Sequence, residues 1–140
     1  MSVLARFRQE SQFEVRDNAR NIEIFIIRLC MNDKYFPKRY RHVISSDVIH
    51  DAHKLVDHID AANLLPLNEI FYIDRQKHQK KALIRINYIY RKIILGELLG
   101  FKIPESFLYE LGKALQKEEA LIKKWIESDK VRIESKGAKQ

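Results

Sequence analysis

The sequence predicts an all-α protein, an antiparallel up-down-up-down four-helix bundle. Three observations point there. Apolar residues recur at steps of three and four through four separate segments. The connections between those segments are short, around Lys34, at LLPLN and at GFK, and short links join antiparallel neighbours. Four glycines and three prolines among 140 residues leave too little turn material for an all-β fold.

The first helix is expected over about 17–32. Ile22, Phe25, Ile26, Leu29 and Cys30 make one apolar face, and Phe13, Ile24, Ile27 and Met31 make a second, roughly 150° away at 100° per residue. One face serves the bundle core. The other needs a further partner, so Phe13, Ile24, Ile27 and Met31 are expected at the interface of a homo-oligomer. The alternative is a first helix tucked deeper into its own bundle, under an N-terminal arm formed by residues 1–16.

The second helix is expected over about 37–63, with Pro37 at its first position. Tyr40, Ile44, Val48, Ala52, Leu55, Ile59 and Ala62 form its stripe, and Tyr35 and Tyr40 are spaced to staple the chain's way in. Lys34, Lys38, Arg39 and Arg41 crowd that start, where the macrodipole is already positive. The repulsion is modest, roughly 0.3–1 kcal/mol each at an exposed end. Unpaired N–H donors there form a natural seat for phosphate, so these four cations are expected to bind nucleic acid. A solvated basic turn is the alternative.

The third helix is expected over about 68–99. Lys77, Lys80, Lys81, Arg85, Arg91 and Lys92 share one face with Tyr88 at the centre, and Asp74 is the one acid on that face. The row is about 22 Å long at 1.5 Å per residue. Cations around an aromatic suit phosphates with an occasional stacked base. An ordinary solvated Lys-rich face is the competing reading, but such faces normally interleave both signs.

The fourth helix is expected over about 104–130, with Phe107, Leu111, Ala114, Leu115, Leu121, Ile122 and Trp125 on its stripe. Residues 131–140 read as a basic, flexible tail. Polar residues interrupt two stripes: Arg75 and Gln79 in the third helix, Glu118 in the fourth. If buried they need hydrogen-bond partners. An Arg75–Glu118 pair would miss by roughly 13 Å along the axis of an antiparallel hairpin, so each is expected to have another partner. A site facing the central channel of an oligomer is the alternative.

Composition narrows function more than it names it. The net charge of +7 favours anionic partners, nucleic acid or an acidic surface. No Gly-rich phosphate loop, nucleophile elbow or zinc-finger spacing occurs, and the expectation is a protein that is not an enzyme and needs no cofactor. Asp47-x-x-His50, His53 and Asp57 imitate half of a di-metal carboxylate site. They lie opposite the apolar stripe, no other helix repeats the pattern, and no metal is expected. The single cysteine, Cys30, falls in an apolar run and reads as a buried thiol in a reducing compartment. The start of the chain lacks a signal-peptide core, and the apolar run IEIFIIRLC is too short to span a bilayer. A cytoplasmic protein with no membrane partner is expected.

FPKRYRHVI followed by IHDAHKLVDHIDAAN resembles the second helix of the Avd-like four-helix-bundle proteins, accessory proteins of diversity-generating retroelements that are related to the ribosomal-RNA intervening-sequence proteins. RQKHQKKA is similar to the family's Arg-x3-Gln-x2-Ala, here Arg75, Gln79 and Ala82. IPESFLYELGKALQKEEALIKKWIESDK is similar to its fourth helix, with Trp125 near the end. The resemblance covers about residues 17–130. It implies a basic homo-oligomer, typically a pentamer, that binds nucleic acid (RNA or DNA) and a reverse transcriptase and supports template copying without being an enzyme. The arm and the tail depart from the pattern. The second functional reading is a protein–protein interaction scaffold of phage or prophage origin, whose basic face docks an acidic region of another protein.

Overall fold

In a computed structural model, which describes residues 13–138, four long helices carry the fold: α1 (Glu14–Cys30), α2 (Ser46–Leu64), α3 (Tyr72–Leu98) and α4 (Glu105–Ala138). No strand occurs among the described residues. Contacts between helices run in opposite chain order. Arg16 meets Asp60 and Glu23 meets His53 between α1 and α2, while His58 meets His78 and Asp51 meets Lys92 between α2 and α3. Gln79 meets Asp129 and Tyr90 meets Gly112 between α3 and α4. Phe13 meets Trp125 and Phe25 meets Phe107 between α1 and α4. Each neighbouring pair is therefore antiparallel, and the helices stand in a closed ring of four.

The core follows the apolar stripes. Ile22 and Ile26 of α1, Leu55 and Ile59 of α2, Ile86 and Ile89 of α3, and Leu115 and Ile122 of α4 are all buried. In α3 the buried positions are 79, 82, 86, 89, 93 and 96, and in α4 they are 111, 115, 118, 122, 125 and 129. These alternating steps of three and four are the seam of nearly parallel helix axes. Gln79, Glu118 and Asp129 occupy seam positions, which is why they are inside.

α1 begins at Glu14, three residues earlier than the apolar pattern indicates, so the N-terminal arm is shorter than 1–16 and its remainder lies outside the described residues. The Phe13 ring packs edge-on against Trp125 with centroids 4.8 Å apart. That contact anchors the start of the helix and packs Phe13, half-buried, against its own chain. Glu14 and Asp17 in the first turn and Arg28 in the last complement the macrodipole. Of the remaining second-face residues, Ile24 and Met31 are exposed and Ile27 is half-buried.

The entry to α2 differs from the expectation. Pro37 is extended (ψ 138°) ahead of a 3₁₀ turn, Lys38–Tyr40, and a π turn, Arg41–Ser45, follows before α2 starts at Ser46. Tyr35 and Tyr40 do not staple together. The ring of Tyr35 faces Phe107 at 5.6 Å and that of Tyr40 faces Phe101 at 5.0 Å, with buried Phe36 also on Phe101 at 5.2 Å. Three rings anchored in two directions override a regular first turn, because each buries far more apolar area than one helical hydrogen bond is worth.

α3 starts at Tyr72, four residues later than expected, because the Asn68 Oδ1 accepts the backbone N–H groups of Ile70 and Phe71 and forms a side-chain turn. Its C-terminus closes on Gly100 at φ 88°: Phe101 N–H bonds to Gly96 O and Gly100 N–H to Glu97 O, the reciprocal pair of a Schellman cap. α4 continues to Ala138, so the expected tail is helical through most of its length. Lys136 Nζ donates to Leu67 O near its end. Among the described residues no helix is long and apolar enough to cross a membrane. Cys30 is a free, buried thiol, and burial pushes its pKa up to about 12, which makes it inert at neutral pH.

Candidate nucleic-acid interface

The outward face of α3 carries Lys77, Lys80, Lys81, Tyr88 and Arg91, all exposed. Arg85 and Lys92, seven residues apart and so two turns apart, belong to a different environment. Both reach Asp51 of α2, which is 1% exposed: Arg85 Nη1 donates to Oδ1 at 2.9 Å and Lys92 Nζ donates to Oδ2. Two of the six cations in the row are thus held by a buried carboxylate. The row is less one-signed than the helix wheel implies, because the acid comes from the neighbouring helix.

Tyr88 sits among cations. The guanidinium carbons of Arg85 and Arg91 and the Lys92 ammonium lie 5.6, 5.2 and 5.7 Å from its ring centroid. This geometry is within cation–π reach and fixes the ring at the surface. Beside it a cavity of about 340 Å³ opens between α2 and α3, lined by Lys54, His58, Lys81, Ile84, Arg85 and Tyr88. His58 Nδ1 lies 3.1 Å from His78 Nδ1. Burial, and then the neighbouring His78, Lys81, Arg85 and Lys54, lower the pKa of His58 below the ordinary histidine value.

The turn before α2 is also basic, with an acid in its midst. Lys38 Nζ stands 3.7 Å and Arg41 Nη2 3.2 Å from Asp33, and Arg39 lies 5.1 Å over the Tyr40 ring. Lys34 is exposed, its backbone N–H bonded to Asn32 Oδ1. These cations stand on 3₁₀ and π turns, so the expected seat in the first turn of an α-helix does not form there. The turn does adjoin the α3 row: Val43 lines a groove together with Arg91 and Lys92.

The interrupting polar residues are inside the chain's own core. Arg75 Nε donates to Asp129 Oδ2 at 2.7 Å and Nη2 to Oδ1 at 3.3 Å, while Nη1 donates to Leu65 O at 2.8 Å beside the last turn of α2. Gln79 Nε2 donates to the same Asp129 Oδ2 at 2.9 Å. Glu118 is fully buried and accepts from Asn18 Nδ2 at 3.1 Å, while its Oε2 has no partner among the described residues. Burial pushes the pKa of Glu118 up to about 8, so it is largely protonated at neutral pH. Arg75 and Glu118 have separate partners, as the register argument requires. A channel-facing site is overturned for Gln79 and Glu118, which are 0% exposed within one chain.

His53 Nδ1 lies 2.7 Å from Glu23 Oε2, Asp57 stands 3.9 Å from Lys54, and His50 and Asp47 are exposed. Among the described residues no three His, Cys, Asp or Glu side chains converge to hold a metal ion. Asp51, Asp129, Lys54 and the His58–His78 contact escape a reading of single helices. The available signal was Asp51 next to Ala52 on an otherwise apolar stripe, and Asp129 four residues after Trp125. Comparison of the chain with known protein families, with curated proteins and with solved structures gave no match.

Proposed function

We propose that the chain is a non-enzymatic accessory protein that binds the phosphate backbone of RNA or DNA through the outward face of α3 and the adjoining basic turn. The observation that carries this reading is the group Lys77, Lys80, Lys81 and Arg91. All four are exposed on one face of α3, Arg91 lies against the Tyr88 ring and Lys81 lines the same cavity as Tyr88, and no carboxylate among the described residues stands within ion-pair distance of them. Phosphates along a strand are the complementary charge, and a tyrosine at the surface offers a stacking platform. By its resemblance to the Avd-like bundles, the protein acts as a homo-oligomer, a pentamer, and partners the reverse transcriptase of a diversity-generating retroelement. Ile24, Ile27 and Met31 are the apolar positions left for a subunit contact. Light scattering that returned a monomer near 16.7 kDa would remove that contact.

The test is a salt titration of binding to single-stranded RNA. The log–log slope is expected to be about −0.7 per contacted phosphate. Lys80→Glu with Lys81→Glu is the variant to use, because neither residue holds Asp51. Arg85→Glu would set a second carboxylate against Asp51 and confuse folding with binding. Equal RNA affinity in parent and double variant refutes the assignment.

A second reading has one observation in its favour. Ile73, Ile84 and Ile94 lie on the same outward face as the cations and are 62%, 45% and 51% exposed. Phosphate contacts alone leave them uncovered, whereas an amphipathic acidic surface of a protein partner covers both. Under this scaffold reading the protein co-purifies with that partner and gives no gel shift with free nucleic acid at moderate salt.

A further inference from the structure

The cavity between α2 and α3 is the most specifically built concave feature on the basic face. Lys54 and His58 come from α2, and Lys81, Ile84, Arg85 and Tyr88 from α3. Cationic groups therefore converge from two helices on a space of about 340 Å³, while Ile84 and Tyr88 supply an apolar wall. One phosphate with its attached sugar and base matches that division: the anion among the cations, the base against the wall.

The histidine pair adds a second property. With Nδ1 atoms 3.1 Å apart, one imidazole donates to the other, and a single proton serves the contact. A first added proton takes the free Nε2 of the donating ring and keeps the contact, whereas a second puts two N–H donors face to face, and each adds charge beside Lys54, Lys81 and Arg85. The groups facing His58 are His78, Lys81 and Arg85 from α3 and Lys54 from its own helix. Arg85 shares the single Asp51 carboxylate with Lys92, which leaves net positive charge there, and Asp57 stands 3.9 Å from Lys54. The charged α1 residues that pair across to α2, Arg16 and Glu23, are engaged by Asp60 and His53 instead. An oxyanion in the cavity reverses this balance, because it accepts hydrogen bonds from protonated imidazole and offsets the lysines.

We propose that the Lys54–His58–Lys81–Arg85 cavity is a proton-linked seat for one phosphodiester of a nucleic-acid strand, with the adjoining base against Tyr88 and Ile84. The identity of the ligand rests on the nucleic-acid reading above; the oxyanion seat does not. Binding takes up a proton at the histidine pair, so affinity rises as pH falls, by up to about tenfold per pH unit for one linked proton.

Histidine ring resonances, assigned with His58→Gln and His78→Gln variants, report the site directly. The probes are sulfate and a thymidine pentanucleotide without terminal phosphates, both of fixed charge between pH 5.5 and 8. Saturating sulfate is expected to raise the titration midpoints of His58 and His78 by about one unit and leave that of exposed His50 in place. The pentanucleotide is expected to do the same and to bind more tightly at pH 6 than at pH 8. The double Gln variant should flatten that pH profile, so that its affinity for the pentanucleotide is the same at pH 6 as at pH 8. Midpoints that ignore sulfate overturn the seat, even if long RNA binds elsewhere on the face. A pentanucleotide whose pH profile survives the double Gln substitution overturns the proton linkage. If sulfate moves the midpoints and neither pentanucleotide nor RNA binds, the oxyanion seat stands and the nucleic-acid reading falls, and with it the strand assignment.

Discussion

Replacing Asp51 with alanine removes the acceptor shared by Arg85 and Lys92, and the structure predicts two opposite consequences. Asp51 is 1% exposed, whereas the side chains of Arg85 and Lys92 are 26% and 19% exposed. Breaking a buried ion pair costs about 3–5 kcal/mol, since the remaining charge is stranded. Here the two stranded cations lie close enough to the surface to swing outward, which places the loss near about 3 kcal/mol. For a chain of this size that corresponds to a fall in Tm of about 10 °C. Nucleic-acid binding should change in the other direction. The net charge rises from +7 to +8, and two cations are released onto the face that already carries Lys77, Lys80, Lys81 and Arg91. If both reach phosphates, the log–log salt slope on single-stranded RNA steepens by about 1.4. Asp51→Asn, which keeps an acceptor oxygen without the charge, should fall between alanine and the parent in stability. Urea unfolding at fixed protein concentration and RNA binding at several salt concentrations measure both quantities. A variant as stable as the parent, with an unchanged salt slope, refutes the argument that Asp51 ties these cations to the bundle.

Three further outcomes follow from the core. Glu118 has a folded pKa raised to about 8 by burial, so the native state holds its proton more tightly than the unfolded chain does. Stability associated with it is fully present below the ordinary glutamate value and is lost as pH rises through about 8; Glu118→Gln should therefore raise the unfolding free energy measured in urea at pH 8.5, by on the order of 5 kcal/mol, and leave it nearly unchanged at pH 4. Phe13→Ala should cost about 3 kcal/mol and shift Trp125 fluorescence to the red without altering the particle mass in light scattering, because the contact lies within one chain. Gly96→Ala should destabilise by about 1–2 kcal/mol despite alanine's higher helix propensity: the new Cβ would stand 2.9 Å from Phe101 Cδ2, and that ring is held between Phe36 and Tyr40. A thermal melt equal to the parent's would show that Phe101 yields freely.

Much of the fold was legible in the chain because burial imposes a period on it. The stripes through Val48, Leu55 and Ile59 and through Leu111, Leu115 and Ile122 locate helices whatever packs against them, and the short links set neighbours antiparallel. The candidate site was legible only in outline. Lys77, Lys80, Lys81 and Arg91 stand on the surface where a helix wheel puts them, but Arg85 and Lys92 do not share their exposure. A wheel contains one helix, and the carboxylate that claims these two residues belongs to another.

Helix ends show the same division. The proline at position 37 and the tyrosines around it mark a boundary, yet its geometry was set by Phe101 and Phe107, more than sixty residues away in sequence. The start of α1 was likewise set by Trp125, and the part of α4 beyond position 130 lies against the turn after α2, where Lys136 donates to Leu67 O. By itself, then, the sequence determined the helix count, the core faces and the excess of positive charge, all consequences of local period and composition. Which charges stay free, where the helices begin and how His58 comes to face His78 depend on side chains from different helices meeting at one depth. Tertiary structure alone decides that, because Coulomb and packing forces act on distances in space and not on separations along the chain.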